Sequence, residues 1–228
     1  MITLNRSVVK RVVGGMDWGF TNPGVLQVWA VDGDGRMYLV HEVYARGRLI
    51  EWWAETARAV QQHFRMEIVL CDPSEPAYIK QVQNAGVPAM PANNEVLPGI
   101  QAVQSRLKVA ADGRPRLFLY EGALAARDEG LALDRKPVCT QEEFLAYSWA
   151  KTADGRPIKE EPLKLHDHGM DCARYVCMYI DSSPEFGPGS AGAGGGVTAR
   201  APAGVFSRTE GPFGARGSLR PPPGIFGR

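Results

Sequence analysis

Cysteine is scarce in this chain and nowhere arranged for chemistry. Cys71, Cys139, Cys172 and Cys177 form no CxxC pair, so a zinc ribbon and a thioredoxin-type centre both lack their ligands. They read as reduced thiols of a core. An excess of one charge is missing too. The formal net charge is +1, which excludes a polycation, so any contact with nucleic acid has to come from a local patch. No apolar run approaches the ~18 residues of a membrane helix. The start, Met1-Ile2-Thr3-Leu4-Asn5-Arg6, is not followed by the apolar stretch of a signal peptide. There is no GxxxxGK[ST] phosphate loop, so a nucleotide-driven motor of that type is not expected in these residues.

What the sequence does hold is enough for a core and a tail. The chain has 228 residues, 44% of them hydrophobic, which fits one domain with an appendage. The composition changes after Asp181. Residues 182–228 contain 12 glycines, 7 prolines, five arginines and two glutamates in 47 positions. Such a segment buries too little apolar surface to offset its chain entropy. Residues 1–181 are therefore expected to form the folded domain, and 182–228 a disordered Gly/Pro/Arg-rich tail. Val205-Phe206 and Ile225-Phe226 are the candidate docking motifs in that tail.

Three strands are expected first, at Val12–Asp17, Gly24–Val31 and Met37–Ala45. The turn Asp32-Gly33-Asp34-Gly35 joins the last two as a hairpin. Helical spacing of Ile50, Trp53, Ala57 and Val60 marks a helix over 49–64, with Trp52 left for an exposed position. Ile68–Cys71 is a short continuous apolar run, as in a strand buried on both faces. Helices are expected at 75–85, closed by Gly86, and at 93–110, with a strand at 116–120. Residues 145–151 and 157–162 suggest the arms of a hairpin around Ala153-Asp154-Gly155-Arg156-Pro157, and 169–180 a last helix. The order βββ-α-β-α-α-β is that of a mixed sheet flanked by helices.

Three acidic islands carry the chemistry: Met16-Asp17-Trp18-Gly19, Leu70-Cys71-Asp72-Pro73 and His166-Asp167-His168-Gly169-Met170-Asp171. Asp17 ends an apolar strand, where a carboxylate is costly without a partner or a cation. Its plainer role is to cap the bend toward Pro23. Asp72 stands at the carboxyl end of a strand, where sheet folds tend to place sites. Its plainer role is an N-cap or an Asx-turn, unless Ser74 caps in its place. Asp171 lies one turn into a helix, on the face of His168, and Asp167 suits the positive end of that helix. Three convergent carboxylates suit Mg²⁺ or Mn²⁺ better than zinc. Two such ions about 4 Å apart serve phosphodiester hydrolysis. Asp17 would bridge them, Asp72 and Asp171 would each hold one side, and His168 would assist.

These islands, in this order, resemble the RNase H-like nucleases, and within them the nuclease domain of the large terminase subunit of tailed bacteriophages. Asp17-Trp18-Gly19 is similar to the family's first-strand D-x-G, and Asp72-Pro73 with Gly86 to its second motif. Asp167-His168-Gly169-Met170-Asp171-Cys172-Ala173-Arg174-Tyr175 looks like its DHAMDALRY, the most specific of the three. The likeness runs over roughly residues 10–181. It implies an RNase H-like mixed sheet flanked by helices, and a metal-dependent endonuclease that cuts concatemeric viral DNA during packaging. Asp17, Asp72 and Asp171 would be catalytic and metal-holding, with His168 accessory and Asp167 the alternative helix carboxylate. The implied partners are double-stranded DNA, a packaging ATPase domain or subunit, the small terminase subunit and the portal, all in the host cytoplasm and with no membrane. Without a phosphate loop the chain would be an excised nuclease domain or a split subunit.

Lys151, Arg156, Lys159 and Lys164 surround the expected hairpin and are the candidate DNA-backbone contacts, since a carboxylate site needs cations around it to receive phosphate. Arg174 could serve as well, or pair internally. Two other functions fit the same residues. One is a different RNase H-like enzyme, such as a Holliday-junction resolvase or transposase core. The other is a silent module that docks the packaging motor, using the tail and Trp52.

Overall fold

The structure, a computed structural model, describes residues 2–146, 149–151, 157–162, 166–185 and 206–208. Its elements run β1 (Ile2–Leu4), β2 (Val9–Asp17), β3 (Gly24–Asp32), β4 (Met37–Ala45), α1 (Ile50–Phe64), β5 (Ile68–Cys71), α2 (Pro76–Asn84), β6 (Ala89–Pro91), α3 (Val96–Leu107) and β7 (Leu117–Leu119). They continue with α4 (Glu129–Leu133), α5 (Thr140–Ala146), β8 (Trp149–Lys151), β9 (Pro157–Pro162), α6 (His168–Asp181) and β10 (Phe206–Arg208). Six strands form one sheet in the order β6-β5-β2-β3-β4-β7. β2, β3 and β4 make the antiparallel meander, β5 runs parallel to β2, β6 to β5, and β7 to β4. This is the RNase H-like mixed sheet with helices on both faces.

Alternation along the strands decides what each face receives. Val12, Met16, Leu26, Val28, Val40 and Val69 point to α1 and α2, where Trp53, Ala57, Val60, Phe64, Ile79 and Val82 complete a core. Val13, Trp29, Val31, Leu39 and Leu70 point the other way, against Val103 of α3 and Ala173, Val176 and Ile180 of α6. Fully burying side chains such as Trp29, Trp53 and Phe64 contributes roughly 1.5–3 kcal/mol each. β5 is covered on both faces, which explains its unbroken apolar run.

Several local expectations change. A helix, α5, occupies 140–146, so Leu145 and Ala146 belong to it and the hairpin's first arm is only Trp149–Lys151. β6 extends the sheet beyond β5, with three residues too few to show a periodicity. Trp52 is half-buried rather than exposed, set edge-on to Trp53 with Arg48 over its ring. Phe206–Arg208 of the tail pair antiparallel with Ile2–Leu4. Most of the tail lies outside the described residues. All four cysteines are free, and Cys71, Cys172 and Cys177 are buried. Among the described residues, no helix is long and apolar enough to cross a membrane.

Candidate active site

Asp17 and Asp72 are brought together by strand pairing. β2 and β5 are parallel neighbours with Met16 opposite Cys71. The next residues, Asp17 and Asp72, therefore leave the same end of the sheet side by side. The Asp72 N–H donates to Met16 O (2.9 Å), extending the ladder by one step. By strand parity both side chains belong to the α6 face. α6 crosses β2 closely because Gly15 has no side chain: a Cβ there would stand 2.9 Å from the Cys172 carbonyl oxygen. That crossing sets His168 and Asp171, in the first turn of α6, beside Asp17.

Each carboxylate has its own partner. His168 Nδ1 lies 2.8 Å from Asp17 Oδ2. Asp171 accepts from Arg174 Nη2 (2.7 Å) and Nε (3.1 Å). Asp72 accepts from the Ser74 N–H and hydroxyl, so it forms the Asx-turn and is not left free by Ser74. Trp18 Nε1–H donates to the Asp72 carbonyl (2.8 Å), tying the two strand ends together. Arg174 is 3% exposed and also donates to Glu95 O. It pairs internally, and its burial removes it from the DNA-contact candidates. Asp167 occupies the N-cap position of α6 without a side-chain cap bond. Lys151 and Lys159 lie on the two paired strands β8 and β9; Arg156 and Lys164 fall outside the described residues.

The electrostatics show that the groups share one neighbourhood. Burial pushes the Asp17 carboxyl up to about 6; the hydrogen bond and charge of His168 pull against the rise, and the charges of Asp171 and Asp72 add to it. Burial also raises Asp171, opposed by Arg174 and reinforced by Asp167. Burial works against protonation of His168, but its hydrogen bond and attraction to Asp17, helped by Glu143 and Asp167, lift its pKa above the usual imidazole value. Tyr175, on the next turn, is raised by burial and by the charges of Asp171, Asp17 and Asp72 together. A partly desolvated set of like charges is the environment a cation relieves.

The donor set fits a hard divalent cation in type: three carboxylates, one from each of three elements, with Asp17 only 7% exposed. Among the described residues, no three His, Cys, Asp or Glu side chains stand grouped as a metal site. The carboxylates would have to exchange Ser74 and Arg174 for a cation to hold it jointly. A groove of 650 Å³ between α3 and α6, lined by Leu70, Met90, Gln101 and Tyr175, does not include them. Asp17 and Asp72 sit instead at the ends of two interior strands, β2 and β5.

Behind the site lies a buried polar cluster that local sequence patterns do not announce. The Gln27 amide Nε2 donates to Thr140 Oγ1 (2.6 Å) and Gly169 O (2.9 Å). Thr140 donates through its N–H and hydroxyl to Glu42. Glu143 accepts from the Tyr44 hydroxyl (2.6 Å) and the Met170 N–H (2.9 Å). Burial pushes Glu42 up to about 6 against the hydrogen bonds of Thr140 and Gln27. It pushes Glu143 up to about 8, against Tyr44, Met170 and His168 and with a contribution from Glu42. One signal is present: Gln27 is a lone amide in the otherwise apolar run Gly24–Val31.

No family model matches the sequence, and no curated protein does. Solved structures do match. The large terminase of a thermophilic bacteriophage, in complex with ADP, aligns with a TM-score of 0.59 at 21% identity over 77% of this chain and 40% of its own. The nuclease domain of g2p, the large terminase of bacteriophage SPP1, with bound Mn, aligns at 0.53 and 16% identity, covering 75% of this chain and 87% of that one. The P22 large terminase nuclease domain gives 0.51 at 18%, covering 74% and 80%. The chain thus spans about two-fifths of the thermophilic phage's large terminase but corresponds to most of the isolated nuclease domains. Its fold is that of a large-terminase nuclease domain.

Proposed function

We propose that this chain is a metal-dependent DNA endonuclease of bacteriophage genome packaging, with Asp17, Asp72 and Asp171 as its catalytic carboxylates. The observation that supports this reading most is that Asp17 at the end of β2 and Asp72 just after β5 leave the same end of the sheet, where His168 of α6 meets Asp17 and the charges of Asp171 and Asp72 raise its pKa. The fold likeness and the Mn bound by the SPP1 domain support it. Asp17, Asp72 and Asp171 would hold Mg²⁺ or Mn²⁺, as two ions, with His168 or Asp167 completing the set. Bound there, the ions supply charge neutralisation and Lewis-acid activation for phosphodiester hydrolysis.

The chain's own residues prepare that event. His168 fixes the Asp17 carboxylate through Nδ1. Arg174 holds Asp171 through Nε and Nη2. Trp18 locks the Asp72 main chain to β2. Lys151, Arg156, Lys159 and Lys164 would hold the DNA backbone without reading bases, and the β8–β9 hairpin would govern access. In this reading residues 1–181 form the nuclease domain and 182–228 a separate tail. The translocating ATPase, the small terminase subunit and the portal are its partners in the host cytoplasm. The protein-internal partners of all three carboxylates favour one second reading, a silent docking module of the packaging motor.

Plasmid nicking separates the two. Wild type and Asp17→Asn are compared with Mn²⁺, Mg²⁺ or chelator. Cutting that needs metal and falls at least about 100-fold in the variant is the expected result. Cutting that persists in excess chelator, or is equal in both proteins, overturns the metal mechanism.

A further inference from the structure

Glu143 is fully buried, yet it belongs neither to the three carboxylates nor to the sheet. Both of its oxygens are occupied, one by the Tyr44 hydroxyl of β4 and the other by the Met170 N–H. That N–H is one of the first amides of α6, which have no partner inside their own helix. The N-cap residue, Asp167, gives no side-chain bond. The cap therefore comes from another helix, 27 residues upstream. We propose that Glu143 is a positioning residue of the nuclease site, which fixes the first turn of α6 and so sets His168 and Asp171 against Asp17. This rests on the nuclease function proposed above.

The surroundings support the assignment from three sides. Gln27 of β3 donates to the Gly169 carbonyl, the peptide next to the one Glu143 holds. Thr140, one turn before Glu143 on α5, is itself anchored on Glu42 of β4. Gly169 gives the close fit: a Cβ there would overlap Thr140 Oγ1 and reach within 3.0 Å of Glu143 Oε2. Gly169 and Met170 are thus gripped by β3 and α5. His168 is the residue immediately before that pair and Asp171 the one immediately after. A shift of this turn by about 1 Å moves both groups away from Asp17, and misplacement of that size costs on the order of 100-fold in rate.

The test uses the full chain with three substitutions. Glu143→Leu keeps the volume but accepts no bond. Glu143→Gln keeps the reach and an acceptor oxygen. Glu143→Asp keeps the carboxyl group but is one methylene short. Plasmid cleavage with Mn²⁺ gives kcat and KM, and the NMR resonances of the His168 ring report its contact with Asp17. The expected result is kcat lower by at least about 30-fold in the Leu and Asp variants, KM within about threefold, and Gln within about fivefold of wild type. The His168 resonances move in Leu and Asp and stay in place in Gln. A folded Leu variant with wild-type kcat and unmoved resonances overturns the proposal. If Leu does not fold, the other two decide: Asp equal to or better than Gln shows that the carboxyl group matters rather than its reach, and overturns positioning. If the wild type cuts with neither metal, the nuclease function itself fails. The resonances then decide alone: movement in Leu or Asp but not Gln sustains the clamp, and no movement ends it.

Discussion

On one face of the sheet Val12, Met16, Leu26, Val28 and Val40 meet Trp53, Ala57, Val60 and Phe64 of α1. On the other, the same strands present Val13, Trp29 and Leu39 to α3 and α6, but also Gln27, Glu42 and Asp17, all buried. The first face is mostly apolar: His41 packs on Phe64 there, and Asp32 is buried at the end of β3, where it accepts from the Tyr38 hydroxyl. The second changes character along its length, apolar where α6 ends and polar where α6 begins. Apolar burial is non-directional and tolerates approximate geometry. Buried carboxylates and amides need a named partner at hydrogen-bond distance. The α1 face therefore works mainly for stability, and the α6 face gives up stability to hold charged groups in place.

Substitutions on the two faces should separate those roles, with stability effects falling in the following order. Trp53→Ala on the apolar face should cost about 3–5 kcal/mol in denaturant unfolding and leave cleavage per folded molecule unchanged. A loss below about 1 kcal/mol would show that the α1 face is not the main support. Gly15→Ala forces a Cβ against the Cys172 carbonyl. It should cost about 1–3 kcal/mol by displacing α6 and, unlike Trp53→Ala, reduce cleavage of the folded fraction. Equal effects of the two on activity would erase the distinction between faces.

The third prediction concerns pH and His41, buried on the mostly apolar face. Burial, with a contribution from His63, lowers His41 to about 4. An unfolded histidine binds its proton near pH 6.5. Between these values the unfolded chain holds more protons, so stability falls as pH drops through this window, by at most about 1.4 kcal/mol per pH unit from this group. His41→Leu should flatten that limb in thermal unfolding between about pH 6.5 and 4. An unchanged slope would assign the acid sensitivity to other groups. The smallest stability effect belongs to Asp17→Asn. Removing a charge from a desolvated position should leave unfolding within about 1 kcal/mol of wild type, while the proposed cutting should be lost. A large destabilisation would mean that the Asp17–His168 pair is part of the scaffold.

The meander is readable because each of its strands declares itself locally: Asp32-Gly33-Asp34-Gly35 makes the turn, and β2 through β5 match their expected spans to within three residues. The carboxylate positions are equally local, at strand ends and a helix start. α5 is not readable. Thr140 and Glu143 look like surface residues in the sequence, and they are buried only because Glu42, 98 residues from Thr140, and Met170 receive them. Ser74 beside Asp72 suggests a carboxylate left free, but a contact two residues long settles it the other way.

By itself, then, the chain determined the meander, β5 and the main helices, and that Asp17, Asp72 and Asp171 stand at or near their ends, since turn chemistry and period-2 or period-3.6 patterning act over a few residues. Only the tertiary structure decided which face each carboxylate joins, that His168 meets Asp17, and that a buried glutamate from α5 caps α6. Those outcomes depend on strand register and helix crossing. Both are set by packing between residues far apart in the sequence, such as Gly15 against Cys172 and Gln27 against Gly169.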